Sequence, residues 1–107
     1  MTNVSFEQYH DLYMFSCTGH SGYSVPGHDI ICSAVSVLCY TLAEFLDKAQ
    51  TEGRISAYNR EFADGYVSLS FETVCRDDTG LFDGIDAVLG GFRLLTEHFP
   101  EYVEAEL

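Results

Sequence analysis

Asp29-Ile30-Ile31-Cys32-Ser33-Ala34-Val35-Ser36-Val37-Leu38-Cys39-Tyr40-Thr41-Leu42-Ala43-Glu44-Phe45-Leu46 decides the fold, because its apolar residues recur at helical rather than strand spacing. Ile31, Ala34, Val35, Leu38, Leu42, Phe45 and Leu46 fall in one stripe, which predicts an amphipathic α-helix from Ile31 to near Gly53. Asp29 stands where an N-cap is expected. Its carboxylate can accept a hydrogen bond from the N–H of residue 31 or 32 and complements the positive end of the helix.

On the N-terminal side of this helix lies Thr18-Gly19-His20-Ser21-Gly22-Tyr23-Ser24-Val25-Pro26-Gly27, whose three glycines and one proline rule out regular structure and permit a mobile loop. Before it, Val4 to Cys17 carries short apolar runs broken by His10-Asp11, which predicts two strands joined by a turn. On the C-terminal side, Ile55–Phe62 and Tyr66–Val74 flank Ala63-Asp64-Gly65, and Val67, Leu69 and Phe71 alternate with Ser68 and Ser70 as in a half-buried strand. Asp77-Asp78-Thr79-Gly80 interrupts the pattern. Ile85, Val88, Leu89, Phe92, Leu95 and Phe99 then trace a second helical stripe, closed by Pro100. Gly90 and Gly91 inside it each cost about 1 kcal/mol relative to Ala, which predicts close packing against another element or subunit.

The order is ββαββα. Two hairpins form one antiparallel-rich sheet and two amphipathic helices cover one of its faces, giving an α+β two-layer sandwich over a single domain, residues 1–107. Seven Tyr and eight Phe among the 47% hydrophobic residues supply the apolar surface for such a core.

Seventeen acidic residues against five basic ones give a formal net charge of −12, which repels phosphate backbones and attracts basic partners. Direct nucleic-acid binding is therefore not expected. No apolar run approaches the roughly 20 residues that cross a bilayer, and Met1-Thr2-Asn3 lacks the basic region of a signal peptide, so the expectation is a soluble cytoplasmic protein with no membrane partner. Cysteines at 17, 32, 39 and 75 lack the density of a secreted disulfide scaffold and read as free thiols.

Cys32 falls in the first helical turn, where unpaired backbone N–H groups and the macrodipole favour a thiolate. His20 precedes it across the Gly-rich loop, and a strand end and a helix start joined in this way can lie side by side. Imidazole has the intrinsic acidity both to take a thiol proton and to return it to a leaving amine. The N–H groups around Cys32 and Ser33 are expected to face a developing oxyanion. Ser36, one turn later on the same helix face, is a candidate supporting residue.

Residue types and spacing leave other readings open. A helical Cys is commonly packing and a loop His commonly solvated. Cys17, His20, His28 and Cys32 offer four zinc ligands, though without paired Cys-x-x-Cys spacing. Gly19, Gly22 and Gly27 before a helix suggest a phosphate loop, but no Lys or Arg lies among them and Asp29 would repel the ligand. Cys39 and Cys75 read as packing residues, His10 as a turn residue, His98 as a cation near a helix C-terminus, and the strand aromatics as core.

The string GHSGYSVPGHDIICSAVSVL resembles the signature of the ribosomal-processing cysteine protease Prp family, in which a Gly-His pair, a Gly-containing loop and an Asp-Ile-x-Cys-x-Ala-Val-Ser helix start recur. Phe99-Pro100-Glu101-Tyr102-Val103 is similar to that family's Tyr-Pro-x-Tyr-Val ending. The resemblance implies a cysteine endopeptidase, needing no cofactor or metal, that removes the N-terminal extension of a large-subunit ribosomal protein during ribosome assembly. It implies Cys32 and His20 as the catalytic pair, Asp29 and Ser36 as supporting residues, a homodimer, and a mobile loop from Gly22 to Gly27. The chain departs from the pattern with Ser21 where Ala is usual and with His28 before Asp29. The rival expectation is a non-enzymatic ribosome-assembly factor that clamps a basic protein tail; a zinc-binding module is the third.

Overall fold

The structure is a computed structural model and describes residues 1–22 and 29–107. Its elements are β1 (Thr2–Tyr9), β2 (Leu12–Thr18), α1 (Ile30–Thr51), β3 (Ile55–Ala63), β4 (Tyr66–Thr73), α2 (Thr79–His98) and β5 (Val103–Glu106). The five strands form one sheet in the order β3-β4-β2-β1-β5, antiparallel except where β5 runs parallel to β1.

The two expected hairpins are present. His10, with φ 56°, turns β1 into β2, and Asp64-Gly65 turns β3 into β4. Because side chains alternate along a strand, Val4, Phe15, Cys17, Leu69, Phe71 and Val103 share the buried face, while Ser5, Ser16, Ser68 and Ser70 occupy the opposite one. Both helices lie over the apolar face. α1 contributes Ile31, Val35, Cys39, Leu42 and Leu46, and α2 contributes Leu81, Ile85, Leu89 and Phe92. Phe15 and Phe92, both fully buried, meet with ring centroids 5.4 Å apart and tie the sheet to α2. Burying each such ring is worth about 1.5–3 kcal/mol.

Close helix packing explains the glycines of α2, with a refinement. A Cβ on Gly91 would stand 2.5 Å from Leu38 Cδ2, and one on Gly84 would enter the ring of Phe45. Gly84 and Gly91, seven residues apart on one helix face, therefore let α2 approach α1; Gly90 does not, since its Cβ would meet only the end of Arg93 at 3.7 Å.

Three further differences from the sequence reading have physical causes. α2 begins at Thr79, six residues before its clear stripe, because Asp78 caps it by accepting from the Leu81 N–H at 3.1 Å and is itself held by Arg54. The arginine donates to both carboxylate oxygens and holds the Asp78 pKa at about 2. β5 was not foreseen: four residues, Val-Glu-Ala-Glu, alternate correctly but are too short to signal a strand, and it is pairing with β1 that orders them. Finally, α1 spans 22 residues and is by length and composition long and apolar enough to cross a membrane, contrary to the expectation that no such run exists. Its apolar stripe is instead committed to the sheet, and Asp47 on its flank pairs with Arg60 of β3 at 2.5 Å and accepts from Tyr58 at 2.8 Å. Tyr58 sits beside a bulge between Ser56 and Asn59, where Ala57 has φ 50°. Burial and the Asp47 carboxylate push the Tyr58 phenol upward.

Candidate active site

The site is assembled where the end of β2, the start of α1 and the β3–β4 turn converge. A cleft of about 1030 Å³ opens there among the described residues. His20, Asp29, Cys32 and Ser36 all line it, together with apolar and aromatic side chains that include Val37, Tyr40, Phe62 and Val67.

Asp29 organises the helix start. Its Oδ1 accepts from the N–H groups of Ile31 and Cys32, each at 2.9 Å, and its backbone carbonyl accepts from the Ser33 N–H at 3.1 Å and the Ser33 hydroxyl at 3.2 Å. The expected N-cap is therefore present. The same bonds overturn a second expectation: the N–H groups of Cys32 and Ser33 are taken by Asp29 and do not face an oxyanion. The carboxylate also offsets the positive helix end on which the thiolate argument rested.

Cys32 Sγ is half-buried and meets Ser21. The Ser21 N–H donates to Sγ at 3.5 Å, and the thiol donates to Ser21 Oγ at 3.5 Å. The Ser21 hydroxyl in turn donates to Asp29 Oδ2. Ser21 and Asp29 are only 2% and 6% exposed, so this chain of bonds is shielded from water.

His20 stands apart from the sulfur. Its imidazole is exposed, rests over the backbone of Gly65 and lies 3.7 Å from Asp64 Oδ1. Among the described residues no hydrogen bond joins it to Cys32. The backbone around it is pinned: Gly19 N–H donates to the Gly65 carbonyl at 2.8 Å and the Met1 nitrogen to the His20 carbonyl at 2.6 Å. Ser36 is exposed on the cleft one turn beyond Cys32, as its spacing predicts. Gly22 has φ +74°, while Gly27 and His28 lie outside the described residues, as does most of the expected loop.

The cysteines separate into different roles. All four are free. Cys17 and Cys39 are buried neighbours, and the hydrogen bond that the Cys39 thiol shares with Cys17, together with burial, pushes the Cys39 thiol far above its ordinary range. Cys39 is thus a packing residue as expected, whereas Cys75 is exposed and is not. Cys17 lies beside Cys39 and His20 beside Asp64, His28 of the candidate zinc set lies outside the described residues, and no group of three or more His, Cys, Asp or Glu able to hold a metal occurs among the described residues. One aromatic contact also departs from a purely core role. Tyr40 and Phe62 stack at 4.6 Å and 9° on the cleft wall, with the Arg60 guanidinium 5.0 Å over Phe62.

Against this geometry, the sequence matches the family model of cysteine protease Prp over residues 1–104. The chain belongs to the cysteine protease Prp family. It is accordingly a cysteine protease, a hydrolase, and the non-enzymatic reading gives way. Solved structures share the Prp fold. The essential ribosomal processing protease Prp from S. aureus, in complex with a covalently linked product peptide, superposes with a TM-score of 0.72 at 15% identity, covering 99% of this chain and 98% of that one. The same protease with a substrate peptide gives 0.68 at 14% identity, over 99% and 98%. SMU.848 from Streptococcus mutans gives 0.66 at 23% identity, over 99% and 92%. No curated protein matches the sequence. Within this Prp chain, sequence reading singled out Cys32, His20 and Asp29 but missed the connecting role of Ser21 and the Asp64-Gly65 turn behind His20. No periodicity marks a buried serine inside a glycine-rich loop.

Proposed function

We propose that the chain removes the N-terminal extension of a large-subunit ribosomal protein, with Cys32 as nucleophile and His20 as general base and then acid. The observation that carries this reading is the position of Cys32: half-buried, in the first turn of α1, lining a cleft that apolar and aromatic side chains also line. An extended peptide rich in apolar residues fits such a lining, and the −12 charge attracts the basic body of a ribosomal protein.

In the reaction, the Sγ–H proton passes to the His20 imidazole as sulfur attacks the scissile carbonyl carbon. The C–N bond then breaks, His20 returns the proton to the departing amine, and a thioester remains on Cys32. Water, deprotonated by His20, hydrolyses it. His20 must leave Asp64 to act, and because its backbone is held by the bonds of Gly19 to Gly65 and of Met1 to the His20 carbonyl, it does so by rotation of its exposed side chain. Asp29 holds the helix start, and Ser36 contacts the substrate along the cleft. The resemblance to the family also supports a cytoplasmic homodimer.

The test is incubation of the protein and its Cys32→Ala and His20→Ala variants with the host's full-length ribosomal protein, followed by mass measurement. Loss of a short N-terminal peptide with the wild type alone is the expected result. Cleavage by folded Cys32→Ala would overturn the mechanism.

A further inference from the structure

The sheet ends in two edge strands, β3 and β5, and they differ in what they can receive. β5 has four residues, whereas β3 has nine and no proline. A bulge between Ser56 and Asn59 blunts β3 at its far end, but from Asn59 to Ala63 its register with β4 is regular and reaches the Asp64-Gly65 turn in the cleft. Ala63 and Tyr66 close that two-residue turn as a hydrogen-bonded pair. The alternation of an antiparallel ladder then directs the N–H and C=O of Glu61 and Asn59 toward β4, and those of Phe62 and Arg60 outward. Among the described residues β3 pairs with β4 alone, so these outward groups have no backbone partner.

α1 runs beside this edge. Tyr40 stacks on Phe62, and Asp47, two turns further from Cys32, pairs with Arg60, so the helix leads away from the sulfur as β3 leads back from its turn. Tyr40 lines both the cleft that contains Cys32 and a second hollow of about 520 Å³, which Glu44, Lys48 and Arg60 also line. The two hollows meet at Tyr40, and Val37 and Tyr40 are exposed apolar side chains there. Outward N–H and C=O groups at every second residue match the period of an extended chain. The Tyr40–Phe62 stack offers that chain an apolar surface at the same place.

We propose that the substrate segment adjoining the scissile bond joins the sheet as a further strand on β3, bonded to the N–H and C=O of Phe62 and Arg60, with an apolar side chain over the Tyr40–Phe62 stack. The proposal rests on Cys32 being the nucleophile, which fixes where along the edge the scissile bond lies. The backbone bonds hold the peptide in line whatever its sequence, and the aromatic pair selects among its side chains.

The experiment uses acetyl-Phe-Leu-Phe-Leu-Phe chloromethyl ketone, whose carbon–chlorine bond breaks as Cys32 Sγ bonds to that carbon and anchors the peptide. Amide hydrogen exchange is then followed residue by residue by NMR in the free and labelled protein. The Arg60 and Phe62 amides should slow about tenfold, the scale of one net hydrogen bond, while Glu61 and Ala63, already bonded to β4, change little. Attachment at Cys32 with Arg60 and Phe62 exchanging as in the free protein overturns the proposal. Protection of those two amides before labelling, as a second copy paired through β3 would give, overturns it as well, and so does a probe that fails to attach at Cys32. Arg60→Pro removes one outward N–H and spares the β4 ladder, so labelling by the probe should be about tenfold slower than in Arg60→Ala, which keeps that N–H. Equal rates in the two folded variants count against strand addition. The nucleophile assignment is judged separately, by cleavage with Cys32→Ala.

Discussion

The carboxylate of Asp29 accepts the backbone N–H of Cys32 at 2.9 Å, so the residue that starts α1 also fixes the backbone that carries the sulfur. Its second oxygen holds Ser21, which touches that sulfur from the other side. Asp29→Ala removes the cap and is expected to destabilise the protein by about 1–2 kcal/mol, whereas Asp29→Asn, which retains an accepting oxygen, loses less. Chemical denaturation of the three proteins checks the order. Proteolytic activity should fall further in Asp29→Ala than the lost stability accounts for, because Cys32 and Ser21 lose a common anchor.

The contact between the helices predicts opposite effects at adjacent glycines. Replacing Gly by Ala favours a helix interior by about 1 kcal/mol. At Gly91 the new methyl meets Leu38, and at Gly84 it meets the Phe45 ring, where overpacking costs about 1–3 kcal/mol and outweighs the gain. Gly90→Ala meets no such obstacle and should raise the melting temperature. A Gly90→Ala protein less stable than Gly91→Ala would contradict this account of the interface.

How far the sequence reveals this molecule depends on the range of the interactions involved. Ile31, Val35, Leu42 and Leu46 announce α1 because helical periodicity is local, and Asp29 announces its cap for the same reason. β5 escapes because Val103 and Ala105 acquire strand conformation only by pairing with Thr2 and Val4 of β1, about a hundred residues away. Within the site, Cys32 and His20 are visible by residue type. Their separation is not, since it follows from the meeting of His20 with the Asp64-Gly65 turn, and neither is Ser21, whose burial against Asp29 is tertiary. Cys75 follows the same rule: nothing in its neighbours distinguishes an exposed thiol at a strand end from a packed one.

Arg54 and Asp78 give the clearest dependence on pH. The guanidinium donates to the Asp78 carboxylate at 2.8 and 2.7 Å, and with the Leu81 N–H bond this holds Asp78 at about 2, below an ordinary carboxyl of about 4. A pKa lowered on folding contributes stability that is complete above the unfolded value and is lost as pH falls from about 4 toward about 2. The wild type should accordingly lose thermal stability more steeply over that interval than Asp78→Asn. Parallel melting curves for the two proteins across the interval would remove Asp78 from the account.

Val103 is 1% exposed and starts β5, which runs parallel to β1, with Thr2 and Tyr102 bonded beside it at 2.9 Å. Val103→Ala leaves the backbone pairing intact and removes two methyl groups from the core, for an expected cost of about 2 kcal/mol. Hydrogen exchange should show the loss first in β5 and in the adjoining half of β1, because a four-residue edge strand has few other contacts to hold it.

The four thiols should be distinguishable in the native protein. Cys75 is exposed and Cys32 half-buried at the cleft, while Cys17 and Cys39 are enclosed in the core. Brief alkylation of the folded protein is expected to label Cys75 and Cys32 and to leave Cys17 and Cys39 untouched until denaturant is added. The hydrogen bond with Cys17 and burial both keep the Cys39 thiol protonated, so raising the pH moderately should leave Cys39 unlabelled. Labelling of Cys39 at the rate of Cys75 under native conditions would mean that α1 detaches from the sheet, and the cleft whose wall it forms would then lack a fixed shape.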